Sequence, residues 1–100
     1  MAEVVGMTFG AFDPLHIGHV RFLESCHTMC DKLLVMVSDD DYVLHNKGHE
    51  PMFKWRERCG ALRQLRCLNY VGVQSLSFGK KDAVFLYLSL IHISEPTRPY

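Results

Sequence analysis

One hundred residues, 48% of them apolar, suffice for one small α/β domain and are too apolar for a disordered chain. Eleven basic residues balance eleven acidic ones. That balance argues against a non-specific nucleic-acid binder and a membrane-surface protein, both of which need a basic excess.

Val4, Val5, Met7 and Phe9, ending at Gly10, read as a buried strand. From Gly18 onward, Val20, Leu23, Cys26, Met29 and Cys30 recur at helical spacing, with Arg21, Glu24 and Thr28 between them. "LLVMV", residues 33–37, is a continuous apolar run of the kind a central parallel strand shows when both faces are covered. "SDDDYVLHNKGHEP" is polar and interrupted and reads as loop. Residues 54–68 predict a helix with Trp55, Cys59, Leu62 and Leu65 on one face. "NYVGVQSL" predicts a third strand, and residues 80–85 the start of another helix. Strands alternating with helices predict a Rossmann-like α/β fold, a parallel sheet with helical crossovers whose ligands bind beyond the carboxyl ends of the strands.

Glu3 arrives too early for a secretory leader, and the longest uncharged apolar stretch, Ala83 to Ile93, is roughly half a ~20-residue membrane span. Cys26, Cys30, Cys59 and Cys67 lie in or beside predicted helices among apolar neighbours. They read as reduced core thiols, and the expected location is cytoplasmic. Cys26, His27 and Cys30 lack a fourth zinc ligand and have the spacing of a helix face. Asp39, Asp40 and Asp41 are of a type that suits Mg²⁺ but read as a solvated run, so no protein-held metal is expected.

The informative stretch is "FGAFDPLHIGH", residues 9–19, placed between the first strand and the first helix. Gly10 and Gly18 let the backbone approach a ligand closely. A helix N-terminus offers amide donors and the positive end of a dipole to phosphate. His16 and His19, three apart, share one face of that first turn, and two imidazoles there donate hydrogen bonds to phosphoryl oxygens as charge builds up. The plain alternative is a glycine-rich strand-to-helix turn with two incidental histidines. The basic residues Lys54, Arg56, Arg58, Arg63 and Arg66 read, by pattern alone, as a solvated helix face.

"GAFDPLHIGH" resembles the G-T-F-D-x-x-H-x-G-H line of the nucleotidyltransferase α/β superfamily, with Ala11 where threonine is usual. "LLVMVSDDD" and "KGHEPMFKWRERCGALRQLRCLNYV" resemble the S-x-D segment and the K-G-x-x-P…E-R…R-x-V-D-x-V block of its cytidylyltransferase-like group, nearest the glycerol-3-phosphate type, with Asn69 where aspartate is common. Pro14 is shared instead with adenylyltransferases of NAD and coenzyme A synthesis.

The resemblance implies transfer of CMP from CTP to a small phosphorylated acceptor, with ATP-dependent adenylyl transfer or an inactive nucleotide-binding fragment as alternatives. It implies His16, His19 and Lys47 as catalytic, and Gly10, Ala11, Phe12, Asp13 and Gly18 as nucleotide-binding. Arg58 and Arg66 would be acceptor-binding, Mg²⁺ would be carried with the triphosphate, and a homodimer is expected because relatives are commonly dimeric.

The late R-T-x-G-I-S-T-like segment of that family has no match here. "LSLIHISEPTRPY" matches one reading frame of a transposon-end sequencing adapter. Residues 1–87 are therefore expected to be the N-terminal part of a nucleotidyltransferase domain, incomplete at its C-terminus, and residues 88–100 a non-native tail.

Overall fold

The computed structural model describes residues 3–76. The elements run β1 (Val5–Gly10), α1 (Ile17–His27), β2 (Lys32–Ser38), α2 (Asp40–Lys47), α3 (Trp55–Leu62) and β3 (Tyr70–Gln74). The strands form one sheet in the order β1-β2-β3, and both neighbouring pairs are parallel, as the apolar runs predict. The helix expected over residues 80–85, the boundary at residue 87 and the tail at 88–100 lie outside the described residues.

β2 is central and buried from Leu33 to Ser38. Its alternating side chains feed two cores. Leu33, Val35 and Val37 pack with Phe12, Leu23, Cys59 and Leu62, the last three brought by α1 and α3. Leu34 and Met36 point the other way and pack with Val5, Met7 and Phe9 of β1. The register sets Met7 beside Leu34 and Phe9 beside Met36, so β1 offers its large residues to one face and Gly6, Thr8 and Gly10 to the helical face. At the amino end of the sheet, Asn69 closes a two-bond clasp. Its amide donates to the Leu33 carbonyl (2.8 Å), and its Oδ1 accepts from Leu33 N–H (2.9 Å).

Two elements differ from the sequence expectation. The segment read as loop contains α2. Asp39 caps it by accepting from Tyr42 N–H (2.8 Å), Asp40 and Asp41 occupy its first turn, and Gly48 closes it in the left-handed region at φ 79°. Only Val43 of this helix is buried, so the apolar periodicity that announces a helix is missing while its end signals are present. The helix expected over 54–68 stops at Leu62. Beyond it, Gln64, Leu65 and Leu68 each donate three residues back, a tighter winding that keeps Leu65 against the core while releasing the chain into β3.

Candidate active site

The junction of β1 and α1 gathers Gly10, Ala11, Phe12, Asp13, His16, Gly18 and His19 at the carboxyl end of β1. His16 is the N-cap of α1. Its Nδ1 accepts from Gly18 N–H (3.0 Å), while His19 Nδ1 accepts from His16 N–H (3.1 Å). This is a capping box in which two imidazoles take the places usually held by a serine and a glutamate. The rings lie 3.9 Å apart between centroids.

An Nδ1 that accepts carries no proton, so the network puts the remaining proton of each ring on Nε2. Two Nε2–H donors result. The amides of Gly18, His19 and Val20 are all taken by His16. Partial burial, and then the charge of His16, push the pKa of His19 below the ordinary 6.5.

Gly18 is favoured by contact rather than by backbone angle. A Cβ there would sit 2.7 Å from His16 Cε1 and 3.1 Å from its Nδ1. Gly10 is similar: a Cβ would meet the Phe12 ring at 2.9 Å. Phe12 is buried at φ 52°, in the left-handed region that side chains rarely adopt, and its ring meets His19 edge-on at 5.2 Å. Its side chain is thus buried against His19.

Asp13 spends both carboxylate oxygens inside the protein, accepting from Met52 N–H (2.6 Å) and Phe53 N–H (2.8 Å). Lys47 ends α2 and is exposed.

The structure sets the two arginines apart, one buried and one exposed. Arg58 is only 2% exposed; its Nε donates to Phe53 O (2.8 Å), one terminal nitrogen to Ala11 O (2.9 Å) and Ser38 O (2.6 Å), and the other to Asp40 Oδ1 (2.8 Å). Four of its five N–H donors are occupied, which leaves no fork for a phosphate. A signal for this was present: Trp55, Arg58, Cys59 and Leu62 recur at the spacing of one buried helix face. Arg66 is exposed in the turn before β3, at the amino end of the parallel sheet. The histidines lie at the carboxyl end, roughly 20 Å away along a seven-residue strand at ~3.3 Å per residue.

Asp13, Asp39 and Asp40 each accept from internal donors, and among the described residues no group of three metal-ligating side chains converges. Burial pushes the Cys59 and Cys67 thiols up, away from the reactive thiolate. No helix among the described residues is long and apolar enough to cross a membrane.

The paired imidazoles thus stand at the carboxyl end of the first strand of a parallel α/β sheet, the end at which such sheets bind ligands. The sequence matches the Cytidylyltransferase-like family over residues 7–84, and the chain belongs to that family. It is 43% identical over 68 residues to the "Bifunctional protein HldE" of Granulibacter bethesdensis, covering 67% of this chain and 14% of that protein. It is 37% identical over 65 residues to the "FAD synthase" of Thermococcus sibiricus, covering 65% of this chain and 44% of that one. The crystal structure of the lipopolysaccharide core biosynthesis protein from Thermoplasma volcanium superposes with a TM-score of 0.76 at 25% identity, over 85% of this chain and 68% of the other. The chain thus spans less than half the length of these two curated relatives.

Proposed function

We propose that this chain is the nucleotide-handling part of a nucleotidyltransferase. It binds a nucleoside triphosphate with its Mg²⁺ and passes the nucleoside monophosphate to a small phosphorylated acceptor. An acceptor phosphate oxygen attacks the α-phosphorus in line, a new P–O bond forms, and the bond to the bridging oxygen breaks as pyrophosphate leaves. The nucleophile is already an anion, so positioning and charge stabilisation carry the catalysis and no strong base is needed.

The reciprocal His16–His19 pair carries this reading, because it aims two Nε2–H donors from a rigid helix end. Those donors suit the oxygens on which charge accumulates in the transition state. Lys47 neutralises the triphosphate from the end of α2. The carboxylates of Asp13, Asp39 and Asp40 are engaged internally, which is consistent with a divalent ion that arrives on the nucleotide.

CTP with a glycerol-3-phosphate-like acceptor is the first reading, in keeping with the family's description and the K-G-x-x-P block. ATP is the second, favoured by the likeness to an FAD synthase, whose named product contains an adenylate, and by Pro14. Pyrophosphate release with Mg-CTP and Mg-ATP, each with and without glycerol 3-phosphate, tests both. Acceptor-dependent release with one triphosphate selects the nucleotide. Triphosphate binding without release reduces the chain to a binding fragment, and the absence of both binding and release refutes the proposal.

A further inference from the structure

Three separate pieces of chain meet beyond the carboxyl ends of β1 and β2: the loop at Ala11–Asp13, the end of β2 at Ser38–Asp40, and the α2–α3 connection at Met52–Phe53. One guanidinium and two carboxylates join all three. Asp13 holds the amides of Met52 and Phe53. Arg58 holds the carbonyl of the same Phe53, and also the carbonyls of Ala11 and Ser38. Asp40 pairs with Arg58 and uses the same oxygen to accept from Trp55 N–H (2.9 Å), the first amide of α3. Phe53 is therefore gripped at both its amide and its carbonyl while its side chain stays substantially exposed. Packing of the Phe53 ring does not explain so much polar attachment to its backbone.

The bond to Ala11 has a directional consequence. In a trans peptide the carbonyl and the following N–H point opposite ways. With Ala11 O drawn to the buried guanidinium, the Phe12 N–H points away from it. The left-handed turn at Phe12 is thereby fixed from below, at the base of the histidine loop.

We propose that Arg58, Asp13 and Asp40 are positioning residues, a buried tie that registers the Met52–Phe53 connection against the Ala11–Asp13 loop and so sets the loop for a triphosphate. The tie stands on its own geometry, and its effect on nucleotide affinity rests on the nucleotidyl-transfer reading. In this assignment neither Asp13 nor Arg58 touches substrate.

The test uses the full chain and three variants. Asp13→Asn turns an amide NH₂ toward one of the two N–H groups it now accepts from. Arg58→Lys keeps the charge and loses the fork. Leu62→Ala opens the core one helical turn from Arg58 without touching the tie. Amide hydrogen exchange at Met52 and Phe53 is read beside Mg-CTP and Mg-ATP binding by calorimetry.

Asp13→Asn is expected to speed exchange at those two amides at least tenfold relative to the amides of β2, and to weaken triphosphate binding about tenfold, the effect of one charge-assisted hydrogen bond. Arg58→Lys is expected to fall between Asp13→Asn and the parent in affinity, and Leu62→Ala to lower the melting temperature with affinity kept. Unchanged exchange at Met52 and Phe53 in Asp13→Asn overturns the tie. Equal loss of affinity in Leu62→Ala overturns its specificity. If the parent chain binds neither triphosphate, the nucleotidyl-transfer reading fails, and the exchange data alone decide whether the tie exists.

Discussion

Gly18→Ala separates the packing of the histidine loop from its chemistry. The new Cβ would begin 2.7 Å from His16 Cε1, against about 3.4 Å for ordinary contact, so the ring must retreat by about 0.7 Å. Nδ1, which would begin 3.1 Å from that Cβ, is displaced with the ring, so the 3.0 Å bond from Gly18 N–H is bent and lengthened toward the ~3.5 Å at which such a bond ceases to count. Two effects on stability then oppose each other. Alanine gains about 1 kcal/mol over glycine inside a helix, and losing a cap costs about 0.5–2 kcal/mol. The net change should stay within about 1 kcal/mol, a shift of roughly 4–8 °C or less in melting temperature. The chemistry has no such offset, because one preorganised donor loses its aim, and such a donor is worth about 10²–10³ in rate. Thermal unfolding, pyrophosphate release and the ¹⁵N imidazole spectrum read the three quantities separately. In the parent, both rings should show the Nε2–H form, and in Gly18→Ala the His16 signal should become a mixture of tautomers. An Nε2–H form unchanged at His16, with turnover or triphosphate affinity within threefold of the parent, would refute the reasoning.

Three further outcomes are expected. His16→Ala should lose at least about 10² in rate with its fold intact, since the ring is exposed and serves only the cap and the site. His19 binds its proton less tightly when folded than when unfolded, so the folded state is penalised as pH falls below 6.5 and the penalty is absent above it. Melting curves from pH 8 to pH 5 should therefore fall less steeply for His19→Gln, which keeps a side chain able to complete the capping box. Leu23→Ala, at the only fully buried position of α1, should cost about 2–5 kcal/mol in denaturant unfolding.

What the sequence made legible was whatever its neighbours in the chain determine. The histidine loop was readable because both imidazoles, their glycine and the start of the helix they cap lie within four consecutive residues. β2 was readable because an unbroken apolar run has few other uses. α2 was missed since a helix with one buried residue has no stripe, although Asp39 and Gly48 marked its ends correctly. Arg58 and Arg66 looked alike in a run of basic residues. Only the third dimension sends one into the interior to collect four acceptors and the other to the far end of the sheet. Asp13 shows the same limit, because its partners lie 39 and 40 residues away.

Trp55 is the sole tryptophan of the chain. It packs partly buried against the core and donates its indole N–H to the Val37 carbonyl (3.0 Å), one residue before the Ser38 carbonyl that Arg58 holds. The molecule therefore carries its own optical gauge. Light at 295 nm excites one indole, and its emission reports the polarity and rigidity of the site end of the sheet without any attached dye. A nucleotide titration can be followed by that emission alone, and any opening of the tie would redden it before the rest of the fold gives way.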